Sequence, residues 1–302
     1  MSQAATGVPP SSGVPLRIRL AARGVDGTTL LVLPALLAIL GLFIYPFLYG
    51  LALSLAPKAG PFYASYQTFF ADPFLRETVW NTLVLAIPTT LFNLALAVPI
   101  AFRVRLMRHQ RLLTTVLVLP VTLGTVLVAQ GLLTYLGPQG WFNRVLLLLH
   151  VISAPVKLTN NYWGVFASLV ITGFPFTFLL TLSYVSGIDP ALEQAAATLG
   201  AGAPRRFSRV FLPLLVPGLA VTFCLSFVQA FAVFPSAVLL GAPAGSTHVI
   251  SIAAYQAAFE RYDASLGSAI AMVMGAVQLV VVLAALGLRS LFYRGPVGGT
   301  KG

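Results

Sequence analysis

The stretch that decides the fold runs from Asp189 to Gly218 and reads DPALEQAAATLGAGAPRRFSRVFLPLLVPG. Asp189-Pro190 is a helix start, with an acceptor side chain at the N-cap and then a residue whose missing N–H costs nothing at the first helical position. The segment ALEQAAATL has high helix propensity, and Glu193 sits in its early turns, where the helix dipole favours negative charge. Gly200 or Gly202 supplies the left-handed residue that closes such a helix. Pro204 can start a second helix, which sets Arg205 and Arg209 four apart on one face with Arg206 beside them. Leu212-Pro213 and Pro217-Gly218 are expected to bend the chain back. Apolar sequence flanks this segment on both sides, and a short turn would have connected it.

Those flanks set the class. The chain of 302 residues is 58% hydrophobic and 8% charged, with a mean hydropathy of +0.91. A soluble domain carries roughly a quarter charged residues, so the composition is that of a polytopic membrane protein. Crossing the hydrocarbon core takes about 20 apolar residues. Six stretches qualify: Thr29–Leu53, Val79–Phe102, Leu112–Leu136, Tyr162–Ser186, Leu214–Leu240 and Ala264–Leu288. The run VLLLLHVISAPV, Val145–Val156, is short and broken by proline, and reads as an interfacial or periplasmic helix. The organisation expected is a tail over residues 1–28, a six-span domain over 29–288 containing the loop 187–213, and a second tail over 289–302.

Orientation follows from the basic residues, which collect on the cytoplasmic side. With the amino terminus inside, that side receives thirteen of the 18 Lys and Arg residues, among them the clusters 103–111 and 205–209. The outer side receives Lys58, Arg76, Arg144, Lys157 and Arg261, together with Trp80, Trp141 and Trp163 at the interface that indole rings favour. The net charge of +11 therefore reads as topology and not as a nucleic-acid surface. Six spans place both termini, and the 187–213 loop, in the cytoplasm. The first span is too long for the apolar core of a signal peptide and lacks a clear cleavage site.

No acidic or basic residue falls inside a span. Proton- and sodium-coupled carriers rely on buried ionisable groups, so a self-powered carrier is disfavoured. The polar residues within the spans include Asn93, Gln130, Ser226, Gln229 and Gln278, with tyrosines such as Tyr135 near an end. Each can serve as an interhelical hydrogen bond or line a solute path. Gln130, Ser226 and Gln229 are the candidates for the path. Cys224 is the single cysteine, which excludes an internal disulfide. GAPAGST at Gly241–Thr247 lacks the lysine of a phosphate loop, and His109, His150 and His248 are too scattered for a metal site. The chain reads as non-catalytic.

QAAATLGAG…FSRVFLPLLVPG resembles the "EAA" loop of type I ABC importer permeases, the inner-membrane components of binding-protein-dependent transport systems. Ala195, Ala196, Gly200, Leu212 and Pro213 match the motif. Asn81-Thr82 opening the second span, GPQGWFN after the third and the six-span layout are similar too, so the resemblance runs from the first span to the carboxyl end. Gln194 departs from the pattern by standing where the motif has glutamate, with Glu193 just before it. What the resemblance implies is an all-α permease fold whose coupling helix docks on a cytosolic ATPase through Glu193, Gln194, Ala195, Ala196, Leu199, Gly200, Leu212 and Pro213. Either Glu193 turns to supply the acidic contact, or Gln194 keeps the hydrogen bonds without the charge. The partners implied are an ATPase dimer that binds ATP-Mg, while this chain binds no cofactor, and a second permease, identical or paralogous. An extracytoplasmic solute-binding protein would dock on the loops at 137–161 and 241–263. The site implied is the bacterial inner membrane, and the mechanism alternating access. Leu199 before the motif glycine and GIDPALEQAA look like the polyamine-, phosphonate- and iron-type subgroup, favouring a small polar or charged nutrient. A sugar-type importer or a self-contained channel are the alternatives.

Overall fold

The computed structural model describes residues 27–108 and 110–292. Most of the expected amino-terminal tail, His109, Arg294 and Lys301 lie outside the described residues. Among the described residues the regular structure is all helical, with no strand. It divides into two compact units after Leu53. The first carries α1 (Gly27–Ile39) and α2 (Tyr45–Ser54), joined by a π-helical turn at Leu40–Ile44. Apolar residues occupy all faces of this segment, as in a helix surrounded by lipid.

The second unit is built on α4 (Pro73–Val104), α8 (Tyr162–Ser186) and α11 (Leu212–Phe231), which pack on one another pairwise. Small and hydroxylic residues make this possible. The buried face of α4 carries Thr78, Thr82, Thr89, Thr90, Asn93, Ala97 and Ala101. Its threonine hydroxyls donate back to carbonyls one turn earlier, as from Thr89 to Leu85 at 2.7 Å and from Thr90 to Ala86 at 2.8 Å. Such side chains let helix backbones approach closely without an unsatisfied hydroxyl. α14 (Ala264–Phe292) covers α11, and α3 (Ala64–Ala71) and α13 (Ile250–Tyr255) pack on α14. Phe69, Phe227, Phe231, Ile250 and Ile270 form the core of that side. Gln278 on α14 donates to the Val228 carbonyl at 3.3 Å, an interhelical hydrogen bond.

Five helical stretches are long and apolar enough to cross a membrane: Val32–Ser54, Pro73–Val104, Tyr162–Ser186, Ala203–Phe231 and Ala264–Arg289. The expected third span, Leu112–Leu136, is not one helix. It is divided into α5 (Gln110–Thr122) and α6 (Thr125–Leu136) at Gly124, whose φ of 75° and ψ of 157° belong to a region open essentially to glycine alone. The expected fifth span is corrected at both ends. It ends at Phe231, because Pro235 cannot donate into a continuing helix and disfavours helical backbone at Phe234. The residues that follow form the short α12 (Pro235–Leu240), packed on α6 and α8.

At its other end, Leu212-Pro213 does not turn the chain. The helix runs unbroken from Ala203 to Phe231. A π-helical turn at Phe207–Phe211, in which Leu212 N–H reaches back to the Phe207 carbonyl, absorbs the hydrogen bond that Pro213 cannot make. Pro217 likewise stays within α11.

Val145–Val156 is also corrected. The helix there is α7 (Trp141–Leu148), and the chain beyond Leu149 is irregular. Asn143 explains both facts. Fully buried, its amide donates to the carbonyls of Gly137 at 3.0 Å and Val156 at 3.1 Å and accepts from Val156 N–H at 2.8 Å. It pins the returning strand of chain to the helix start. Asn143→Ala is expected to cost about 2–3 kcal/mol, since it orphans several buried groups at once. The check is hydrogen exchange at the Val156 amide, which should lose its protection.

Candidate functional site

The helix predicted at the start of the 187–213 loop is α9 (Pro190–Thr198). The Asp189 carboxylate accepts from Ala191 N–H at 2.8 Å, and Pro190 occupies the first helical position. At the other end Gly200, not Gly202, takes the left-handed conformation, with φ 81°. Gly200 N–H bonds the Ala197 carbonyl and Ala201 N–H the Ala196 carbonyl, both at 3.0 Å. That pair of bonds is a Schellman closure. Gly202 instead caps the short α10 (Ala203–Arg206), which runs on into α11.

α9 has two unlike faces. Glu193 and Ala196 are partly buried against the rest of the chain, while Gln194 and Ala195 are exposed. Leu192 is 47% exposed and Leu199 88%. Leu192, Ala195 and Leu199 lie at helical spacing on one side, an apolar stripe presented outward. Leu212 is half-buried and Pro213 exposed, so both belong to the stem of the loop and lie off that stripe.

The inner face is electrostatic. One oxygen of Glu193 is bonded by the guanidinium of Arg105, at the end of α4, and the other lies 3.8 Å from an Arg206 nitrogen. Arg105 is 7% exposed, and its guanidinium carbon lies 4.5 Å from the Phe102 ring centroid and 4.6 Å from that of Phe211. Cation–π contact with two rings offsets part of the cost of taking this charge out of water. The acidic residue of the loop is thus turned into the molecule, and Gln194 is the one that faces out. Arg205 and Arg209 are exposed.

A second feature lies deeper, where α4, α8 and α11 meet the break before α12. It is a cleft lined by Asn93, Thr172, Thr177, Ser226, Gln229 and Ser236, and among the described residues no charged one lines it. Thr177 donates to the Gly173 carbonyl at 3.0 Å, so Ser226, 2.9 Å away, donates to Thr177. Ser168 donates to Ser236 at 2.9 Å. The Asn93 amide oxygen is buried without a partner. An unpartnered amide in an apolar surround is costly and marks a place where a polar group can be recognised. Two of the three path candidates, Ser226 and Gln229, line this cleft. Gln130 does not; it sits on the exposed face of α6. Asn93, Thr177 and Ser236 complete the lining. Their sequence signal, polar residues in apolar runs, is shared by many packing hydrogen bonds and singles out none of them.

Comparison with known proteins places this arrangement. Residues 78–295 match the model of the family described as "binding-protein-dependent transport system inner membrane component". The spermidine/putrescine transport system permease protein PotB of Haemophilus influenzae is 32% identical over 205 residues, covering 65% of this chain and 71% of that protein. The trehalose transport system permease protein SugA of Mycobacterium tuberculosis is 26% identical over 84% of this chain and 86% of its own. A crystal structure of a bacterial alginate ABC transporter, in complex with an alginate pentasaccharide-bound periplasmic protein, contains a chain of similar fold. It superposes with a TM-score of 0.76 at 23% identity, over 93% of this chain and 99% of that one.

Proposed function

The chain belongs to the inner-membrane components of binding-protein-dependent transport systems, and on that premise we propose how it works. It is the permease subunit of an ATP-binding-cassette importer and forms half of a solute pathway that opens alternately to either side. A separate cytosolic ATPase dimer binds and hydrolyses ATP-Mg and docks on α9. A second permease completes the pathway, and an extracytoplasmic binding protein delivers solute. Both termini and the 187–213 loop face the cytoplasm.

The observation that carries this reading is the outward stripe of α9. A nine-residue helix, capped at both ends and held from behind by Arg105, exposes Leu192, Ala195 and Leu199 on one side. Isolated helices of that length are marginal in water, so this one is built to be presented. The test is purification of the complex in mild detergent. A P-loop ATPase subunit is expected with the wild type and lost with Leu199→Asp. Retention of the ATPase by Leu199→Asp would remove the docking assignment.

The solute we infer is a small polar or charged nutrient of the polyamine type. Similarity to the spermidine/putrescine permease and the Leu199-Gly200 pair support it. A sugar is the second reading, favoured by the uncharged hydroxyl and amide lining of the cleft and by the similarity to a trehalose permease. Competition between spermidine and trehalose for uptake by the reconstituted complex separates them. Ser226→Ala with Thr177→Val removes the paired hydroxyls with little change in volume. Import is expected to show a KM raised about tenfold, the scale of one lost polar contact in a binding site, with the ATPase still co-purifying. An unchanged KM would take the cleft out of the path.

A further inference from the structure

The resemblance to importer permeases implies that the acidic residue of the loop motif reaches into the ATPase. In this chain Gln194 stands at that position, and the carboxylate of Glu193 beside it points the other way. One oxygen is bonded by Arg105 and the other faces Arg206. We propose that Arg105 is a positioning residue for coupling: through Glu193 it fastens α9 to the end of α4, so that movement of the docking helix is delivered to that span.

Three elements converge on the one guanidinium. Arg105 directly follows α4, Glu193 is on α9, and Phe211 lies in the π-helical turn that leads into α11. Phe102 and Phe211 meet edge to face at 4.7 Å, and the guanidinium rests against both rings. A surface ion pair of this kind contributes little, because water screens it and two long side chains must be ordered. Here Arg105 is 7% exposed, its orientation is set by two rings, and its partner is held on a capped helix. Desolvation strengthens such a bond and makes the loss of either partner expensive. The neighbouring basic residues do not share this position: Arg205 and Arg209 are exposed, while Arg206 reaches only the far oxygen. Along α4 the same helix carries Asn93 into the cleft, twelve residues before Arg105, or about 18 Å at the helical rise. One continuous helix, with Pro99 inside it, links the docking site to the cleft lining over that distance.

This rests on the importer reading, and the experiment keeps the two apart. The complete transporter, with its co-purified ATPase, second permease and binding protein, is reconstituted in liposomes. ATP hydrolysis and spermidine or trehalose uptake, whichever the wild type imports, are measured on the same preparation. Arg105→Ala is expected to retain the ATPase subunit and to hydrolyse ATP within about twofold of wild type while importing about tenfold less, the scale on which coupling residues act. A merely structural role would lower both together. Arg105→Lys, which keeps the charge but not the planar fork, should fall between. The exchange Arg105→Glu with Glu193→Arg should import faster than either single variant, and it guards against a simple folding defect. Wild-type uptake by Arg105→Ala would overturn the proposal. So would a Glu193→Ala complex that loses its ATPase subunit while the charge exchange rescues nothing, because Glu193 would then act on the partner. A wild-type complex that holds no ATPase overturns the importer reading itself.

Discussion

A Gly200→Val transporter is expected to accumulate in the membrane at the wild-type level and to import nothing measurable. The reason lies in the backbone alone. Gly200 has φ 81°, and a Cβ built there meets nothing within 4 Å, so crowding is not the issue. A β-branched residue at positive φ is strained by about 2 kcal/mol or more. The chain relieves that strain by giving up the left-handed turn, and with it the Gly200 and Ala201 bonds that close α9. Nine residues of helix cannot absorb the loss elsewhere. The exposed tip, Leu199 above all, then no longer sits where an ATPase groove would meet it. The loop buries no large side chain of α9 in the helical core, which is why insertion and folding should survive. Gly200→Asn separates backbone from identity, since asparagine tolerates the left-handed region; it should retain most of the uptake. Import by Gly200→Val at the wild-type rate would refute the coupling role of α9. Uptake assays, membrane levels and ATPase recovery from one set of cells decide it.

How far the fold is legible in the sequence differs from element to element for physical reasons. Tyr162–Ser186 is read to the residue, because Asn161 caps one end, with its side chain accepting from Gly164 N–H, and Gly187 follows the other. α9 is equally plain, since its caps are local chemistry written into adjacent residues. The division of Leu112–Leu136 is not, because Gly124 breaks the helix through a dihedral angle that its apolar surroundings do not advertise. Phe234-Pro235 carries a readable stop, yet the hydropathy of the run continues across it to Leu240. Pro213 shows the converse: a residue that ordinarily ends a helix is carried through one by a π turn. At the site, the outward stripe follows from helical spacing once the helix is granted. Arg105 does not, because Arg103, Arg108 and Arg111 stand beside it with the same chemistry. Only the fold, by bringing Glu193 to it across 88 positions, tells them apart.

Gly218→Leu is expected to remove the protein from the membrane, and Gly218→Ala to lower its stability in detergent by about 2 kcal/mol. A Cβ at this position would lie 2.4 Å from Cγ, 2.6 Å from Cδ1 and 2.9 Å from Cβ of Tyr184. Those atoms are at the root of the tyrosine side chain, so a change of ring rotamer does not clear them; the helices themselves must part. Helix propensity alone would favour alanine over glycine by about 1 kcal/mol, whereas overpacking of this kind costs about 1–3 kcal/mol and rises with side-chain size. The overlap wins, and for leucine it wins decisively. Rescue is the sharper test: Tyr184→Ala should make Gly218→Ala tolerable, with a coupling energy of about 1–2 kcal/mol in the double-mutant cycle. Additive effects would mean that the crossing is not as close as 2.4 Å implies. The position also matters for function. Tyr184 lies just before Asp189 on α8 and Gly218 just after Pro213 on α11, so this contact clamps the two stems from which the docking loop is hung. Leu182, Val185, Phe211 and Leu215, from the same stems, form one cluster with Ala101 and Val104 of α4. In Gly218→Ala the stems are wedged apart while Arg105 still holds Glu193 from α4, so uptake should fall further than membrane level does. Uptake that falls only in proportion to membrane level would confine Gly218 to folding.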